Sequence, residues 1–428
     1  MIDMKLIARR HYLDQLTAVM GTPDIKVITG VRRSGKSKLM ELFAGYIREN
    51  VPDANIIQIN FNLPGSEYLK EYHMLNDYVE MKYAENKRNF ILIDEVRLCR
   101  GFEKAIIGFH ESEKYDIYIT GSNAFLLSSD PATLFTGRTF RIDVYPFSFA
   151  EFVQYYSEAP DGSGSSEKPS SEDGMKKGDT IFGDRQASLE QYMIRGGMSG
   201  SYLYPTEELR LKYLRDVFET LVIRDVADRY KIRKKDILYR LSDYMIDNIS
   251  NITSARNITE ILMKDKNSPD SLSNKTVTTY ISYLTDAFAF YKVRKYDIKG
   301  KKYLTLAGKY YLCDHAFRTA LLGRRSADTG RILENIVAVE LLRRGYEVYA
   351  GSLYDKEIDF VAVRRDEKIY IRVSEFIDNP ETFGRECGSL LKIKDAYPKM
   401  ILARTKKETY QYEGIQICDV AGWLLNDP

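Results

Sequence analysis

The chain has 428 residues, 44% of them hydrophobic and 29% charged, a globular composition with room for two or three domains. Its formal net charge of +2 argues neither for nor against nucleic acid, because a local basic patch hides inside a neutral total. Cys99, Cys313, Cys387 and Cys418 are far apart and lack metal-ligand spacing, which argues against a structural zinc site and fits a reducing compartment.

At the N-terminus, Met1 to Arg10 lacks the apolar core of a signal peptide. No run of about 18 apolar residues follows anywhere, so the expectation is a cytoplasmic protein without membrane contact. Leu6, Ile7, Tyr12, Leu13, Leu16 and Val19 recur at helical spacing and predict a helix over 6–20. Val27 and Ile28 then read as a buried strand.

Gly30-Val31-Arg32-Arg33-Ser34-Gly35-Lys36-Ser37 follows directly and fits G-x-x-x-x-G-K-[ST]. Leu39, Met40, Leu42, Phe43 and Ile47 continue at helical spacing, so the motif sits between a strand and a helix, as a phosphate-binding loop must. Gly30 and Gly35 let the backbone turn its N–H groups onto phosphate oxygens. The helix N-terminus adds partial positive charge. Lys36 is expected on the β- and γ-phosphates and Ser37 on a magnesium ion, with Lys38 also among the nucleotide-binding residues.

Residues 55–60 predict a second strand and 67–86 a helical stretch. Phe90-Ile91-Leu92-Ile93 then ends in Asp94-Glu95, a Walker B pattern with its acids at the C-terminal end of a strand. Asp94 is expected to hold the magnesium ion and Glu95 to act as general base on the attacking water. Residues 116–120 form another strand, ending in Gly121-Ser122-Asn123. Asn123 or Ser122, with Thr120 close behind, is the candidate to touch the γ-phosphate or the water. A plain strand-ending turn is the other reading. A strand between the P-loop strand and the Walker B strand suits the AAA-like, glutamate-using branch of P-loop folds.

Residues 136–144 give a fifth strand. Arg138 or Arg141 there is either an arginine finger, often supplied by a neighbouring subunit, or a salt bridge on the sheet edge. Ser148 and Glu151 form a capping box for the next helix. Residues 157–180 offer almost nothing to bury and read as a disordered insertion.

From 186 to 250 the pattern is helical, broken by a glycine turn at 195–199. A long amphipathic helix over 211–230 ends in the charge-dense Arg224 to Lys231, read as a solvated face. Residues 256–304 are similar to a winged helix, with a second helix capped by Ser273 and a wing at 297–301. Lys275, Thr276, Thr278 and Thr279 are candidates to face DNA, with Lys299, Lys301 and Lys302 on phosphates. Protein contact or a bare surface fits the same residues.

A helix over 330–342 and strands at 347–349, 357–363 and 368–373 follow. A helix with Glu334, a strand with Asp359 and a third strand suit a PD-(D/E)xK nuclease-like layout, whose acids hold a metal. Here Arg372 stands in the acid-or-glutamine place and Ser374 in the lysine place. That substitution puts a cation beside the metal position, so the expectation is a degenerate nuclease-like fold.

Together, the P-loop, Ile93-Asp94-Glu95, Thr120-Gly121-Ser122, Gly137-Arg138, Lys309 to Asp314, Glu334-Asn335, Arg344-Gly345-Tyr346 and Lys356 to Phe360 resemble a family of prokaryotic AAA-type ATPases. These pair a P-loop domain with a nuclease-like C-terminal domain of unknown function. The resemblance covers nearly the whole chain outside the insertion. It implies ATP binding and hydrolysis but supplies no substrate. The expected domains are a P-loop ATPase over 1–155, the insertion over 156–182, a helical region over 183–255, a winged-helix-like region over 256–310 and the nuclease-like end over 311–428. Three functions compete: an ATP-driven switch on DNA, an ATP-regulated protein-interaction switch in defence or a toxin-like system, and an ATP-dependent nuclease. A homo-oligomer suits any of them.

Overall fold

Five strands in the N-terminal half run parallel, and each ends its buried stretch close to a polar residue. They are β1 (Ile25–Thr29), β2 (Ala54–Asn60), β3 (Arg88–Asp94), β4 (Tyr115–Gly121) and β5 (Thr139–Asp143). The structure, a computed structural model, describes residues 7–122, 135, 137–157, 184–264, 272–325, 328–354 and 356–426, the side chains of 303–306 excepted. Asn123 and nearly all of the 156–182 insertion lie outside the described residues. The chain divides into two compact units: residues up to Tyr145 with 286–288, and Pro146 onward without those three.

In the first unit the strand order is β2-β3-β4-β1-β5, which puts β4 between the P-loop strand and the Walker B strand. Parallel strands covered on both faces are apolar throughout, which is why Phe90 to Ile93 stood out in the sequence. Helices α1 (Arg10–Ala18) and α2 (Lys36–Asn50) cover one face through Tyr12, Leu16, Leu39 and Phe43, against Ile28, Leu92 and Tyr118. Helices α3 (Tyr72–Lys82) and α4 (Phe102–Glu111) cover the other, with Leu75, Phe102 and Ile106 against Val27, Ile91 and Ile93. The expected helix over 67–86 is interrupted. A short 3₁₀ turn, Pro64–Leu69, precedes α3. Lys26 is fully buried on β1 and is satisfied by Thr22 O at 2.5 Å and Asp116 Oδ1 at 2.7 Å.

The second unit opens with α5 (Phe149–Ser157), where Ser148 N–H donates to Glu151 Oε2 and Glu151 N–H to Ser148 Oγ, a reciprocal cap. The expected boundary at 155 differs from the observed one. Phe149 and Phe152 pack on Tyr192, and Phe152 also on Tyr202, so α5 belongs with the residues that follow it. Then come α6 (Arg185–Arg195), α7 (Glu207–Thr220), α8 (Lys235–Asp247), α9 (Ala255–Met263) and α10 (Asn274–Asp286). α7 runs on as a π-helix, Leu221–Asp228. The solvated-face reading of that stretch needs correction. Arg224 and Asp228 are exposed, but the π-turns carry Asp225 inward, where it is buried with Val226 and Ala227.

An eight-stranded sheet follows, in the order β12-β13-β11-β10-β9-β8-β6-β7. Its strands are β6 (Phe290–Asp297), β7 (Lys302–Leu312), β8 (Glu347–Leu353), β9 (Lys356–Arg364), β10 (Glu367–Ser374), β11 (Lys399–Ala403), β12 (Tyr410–Tyr412) and β13 (Ile415–Asp419). The accompanying helices are α11 (Ala316–Leu322), α12 (Thr329–Arg343), α13 (Pro380–Leu391) and α14 (Val420–Leu425). The boundary expected near 310 falls inside β7. Because β6 pairs in parallel with β8, the hairpin read as a wing extends the C-terminal sheet.

Asn335 of α12 is fully buried and grips the end of β7 from both sides. Its Oδ1 accepts from Leu312 N–H at 2.8 Å, and its Nδ2 donates to Leu312 O at 2.9 Å. Asn335→Ala strands a buried donor and a buried acceptor. The expected loss is roughly 2–6 kcal/mol, at about 1–3 per orphaned group. Urea unfolding monitored by circular dichroism checks this, and an unchanged midpoint refutes it.

Candidate active site

The phosphate-binding loop is shaped by close approach. Gly30 has φ of 142°, and a Cβ built on it would lie 2.1 Å from Val144 O, so no side chain fits there. Gly35, with φ of 94°, closes the loop and starts α2, where Leu39 N–H donates to Gly35 O. Between them Arg33 also adopts a left-handed backbone, and Ser34 N–H donates to Val31 O. Lys36 is buried, its Nζ on Gly30 O at 2.8 Å and Val31 O at 2.9 Å. Ser37 follows in the first turn of α2. Lys38 is turned to the surface, ion-paired with Glu41 at 2.7 Å.

Because the strands are parallel, their C-terminal ends gather beside this loop. Asp94 ends β3 and is buried, its Oδ1 accepting from Thr120 Oγ1 at 2.5 Å. Glu95 follows with φ of 53°, a strained backbone for a glutamate. Its N–H donates to the same Thr120 Oγ1 at 2.9 Å, so one hydroxyl near the end of β4 holds the Asp94 carboxylate and the Glu95 backbone. Ser122 is buried next along β4's exit.

Three buried oxygens here lack a hydrogen-bond partner: Ser34 Oγ in the loop, Asp94 Oδ2, and Ser122 Oγ. Buried polar atoms are almost always paired. Two hydroxyls suit phosphate oxygens and one carboxylate oxygen suits a cation. The residues present therefore fit a nucleoside triphosphate and a divalent cation, for which Asp94 offers its open oxygen.

Arg138 does not join them. It immediately precedes β5, and its carbonyl accepts from Ile25 N–H at the start of β1. That is the opposite end of the sheet, about 13 Å from Thr29 at the usual strand rise. Its guanidinium lies 3.2 Å from Glu111, the salt-bridge alternative. Arg141 pairs with Asp143 at 2.6 Å.

In the second unit, Glu334 on α12 and Asp359 on β9 do come together, but around cations of the chain itself. Lys309 of β7, almost fully buried, places Nζ 2.7 Å from Glu334, 2.5 Å from Glu357 and 3.9 Å from Asp359. Tyr311 O–H donates to Glu334 at 2.7 Å. Arg372 bridges Asp359 at 2.9 Å and Glu386 of α13 at 2.6 Å, and Val373 N–H donates to Asp359 Oδ2. The ammonium and guanidinium thus supply the positive charge these carboxylates face. No cluster of three or more metal-type ligands suited to a metal occurs among the described residues. Lys309 is visible in the sequence only within the segment Lys309 to Asp314, and its ion-pairing role is not. Arg9, missed in the sequence, reaches the P-loop from the N-terminal segment.

The nucleic-acid candidates are at the surface. Lys275 and Thr278 lie exposed in the first turns of α10, capped by Ser273 Oγ accepting from Thr276 N–H. Lys299 and Lys301 are exposed at the β6–β7 turn, Lys299 lying over the Tyr354 ring at 4.6 Å.

The family model of the AAA domain matches residues 22–153, and that of a domain of unknown function (DUF8612) matches residues 186–328. An uncharacterized protein of Haemophilus influenzae is 34% identical over 422 residues, 98% of this chain and 99% of that one. Uncharacterized protein MJ1544 of Methanocaldococcus jannaschii is 26% identical over 442 residues, 97% and 92% of the two chains. Among solved structures, the Aeropyrum pernix ORC1 protein in complex with DNA is matched at a TM-score of 0.32 and 13% identity, over 74% of this chain and 92% of that one. That superposition is loose, and the fold rests instead on the strand order and the P-loop. No helix among the described residues is long and apolar enough to cross a membrane. The AAA-type ATPase fold supports ATP binding. The chain belongs to the family of the Haemophilus protein: prokaryotic AAA-type P-loop ATPases in which an AAA domain precedes a domain of unknown function.

Proposed function

We propose that this protein binds ATP with magnesium and hydrolyses it slowly, and that its nucleotide state switches a C-terminal half that acts on DNA in the cytoplasm. The carrying observation is the Asp94–Thr120–Glu95 arrangement, a buried carboxylate with one oxygen held and the other without a partner. Loop N–H groups between Val31 and Lys36, other than that of Ser34, bind the phosphates. Lys36 exchanges the carbonyls of Gly30 and Val31 for phosphate oxygens. Glu95 takes the proton of the attacking water. Ser37 and Asp94 would hold a magnesium ion, which would supply charge neutralisation at the phosphates. Arg138 serves as an arginine finger only across a contact between copies, since its own sheet separates it from the loop.

The DNA reading is supported by the order of α8, α9, α10, β6 and β7, which follows a winged helix. A bridge between Thr253 and Gly308 completes it. The exposed Lys275, Thr278, Lys299 and Lys301 are its phosphate and base candidates. The order α12, β8, β9, β10, α13, β11 supports a nuclease-like ancestry, while Lys309 and Arg372 argue against metal chemistry in it. A protein-interaction switch is the second reading, favoured by the exposed Leu203, Tyr204 and Leu209.

Steady-state ATPase activity with and without double-stranded DNA tests the main reading. Turnover raised by DNA, and abolished by Lys36→Ala and Glu95→Gln, is expected. Turnover indifferent to DNA transfers the reading to protein partners. No magnesium- or manganese-dependent cleavage of DNA is expected, with or without Asp359→Ala.

The acidic centre has its own pH signature. Four carboxylates share Lys309 and Arg372. Burial pushes Glu334 up to about 7, against the pull of Lys309 and with Asp359 adding to the rise. Burial alone would lower Lys309, but Glu334, Asp359 and Glu357 hold its ammonium above the ordinary lysine range. A carboxyl raised on folding stabilises the folded state most below its unfolded pKa. That contribution is lost as pH rises from the ordinary glutamate range through about 7. Thermal unfolding between pH 5 and 8 is expected to show a stability decline that Glu334→Gln flattens. Identical pH profiles for the two proteins refute it.

A further inference from the structure

Arg9 precedes α1 and carries no motif, yet it is almost fully buried and holds a left-handed backbone, with φ of 44°. Such a conformation is costly for a non-glycine residue, so its contacts must fix it there. Its Nη1 donates to Ser34 O at 2.7 Å and its Nη2 to Tyr145 O at 2.8 Å. The guanidinium also lies over the Tyr12 ring at 4.5 Å, and Tyr12 Oη accepts from Tyr145 N–H at 3.1 Å. One planar cation thus spans the P-loop and the residue that ends the first unit.

Ser34 O belongs to the peptide joining Ser34 to Gly35. In a planar trans peptide the C=O and the N–H point in opposite directions. A cation that draws the Ser34 carbonyl out of the loop therefore turns the Gly35 N–H into it, toward the phosphates. A P-loop works by that orientation of successive N–H groups.

We propose that Arg9 is a positioning residue of the nucleotide site, setting the phosphate-ready shape of the loop through the Ser34–Gly35 peptide. It rests on the ATP-binding reading above. The anchor on Tyr145 O fixes the guanidinium, so the loop is referenced to the end of β5 rather than to its own flexibility. Arginine is required because its fork reaches two carbonyls at once, whereas a lysine ammonium acts as a single point charge.

The test uses the full chain as wild type, Arg9→Lys, Arg9→Ala and Lys36→Ala. Affinity for a fluorescent ATP analogue with magnesium is measured beside nucleotide-free thermal unfolding. Arg9→Ala is expected to weaken binding about 10- to 100-fold, the range for losing hydrogen bonds from a charged group. Arg9→Lys, which keeps the charge and most of the packing, is expected to melt close to wild type and still bind weakly. Millimolar methylguanidinium is expected to restore part of the affinity of Arg9→Ala and none of that of Lys36→Ala. Wild type that fails to bind overturns the ATP reading itself. Wild type that binds, with Arg9→Lys equally tight, overturns the role of Arg9 alone. So does a loss in both Arg9 variants that follows their melting temperatures and ignores methylguanidinium.

Discussion

The carbonyl oxygen of Val144 leaves no room for a side chain at position 30, and much of the first unit follows from that approach. Val144 is held there because its N–H donates to Thr29 O at 2.7 Å, continuing the pairing of β5 with β1. The start of the loop is therefore cast against an edge strand that comes more than a hundred residues later. The glycine permits the shape, and the tertiary contact imposes it. Parallel packing does the rest, since Asp94, Thr120 and Thr29 all end their strands on the side where the loop turns.

A different constraint governs the second unit. Carboxylates from two helices and one strand are brought within reach of one another, and such a group is costly to bury without compensating charge. A nuclease solves that problem with a metal ion. This chain solves it with Lys309 and Arg372, which tie β7, β9, β10, α12 and α13 together at one point. The arrangement specifies register. Lys309 and Tyr311 are two apart on β7 and both meet Glu334, so a slip of one residue would turn both away.

The legible parts were those where one residue type has few physical substitutes. A glycine that must approach a carbonyl, a lysine after a glycine, and acids after four apolar residues are visible in order along the chain. Glu334 and Asp359 were also visible, and so was the intrusion of Arg372. What stayed hidden depends on contacts between distant segments. Arg9 is one of two adjacent arginines at a helix start, and only the fold shows that its fork meets Ser34 and Tyr145. No role is legible for Lys309 in the sequence, because its three acids lie 25 or more positions away. For Arg138 two alternatives stayed open for a simpler reason: strand direction decides which end of β5 faces the loop, and residue spacing is silent on direction. Asp225 was read as solvated because helical periodicity assumes an α-helix, and the π-helix shifts the face.

Comparing the acids of the two units separates a site built for a ligand from one already filled. Asp94 is buried with one oxygen held by Thr120 and the other without a partner, beside two hydroxyls in the same condition. Leaving such atoms unpaired costs about 1–3 kcal/mol each, a cost that persists where a ligand recovers it. Asp359 is also buried, but Arg372 takes one oxygen and Val373 N–H the other. No carboxylate oxygen of that centre is among the buried atoms lacking a partner within the described residues. A metal entering there would have to displace two cations already bonded in place. At Asp94 it would displace none, so the open valence of the fold lies in the P-loop unit.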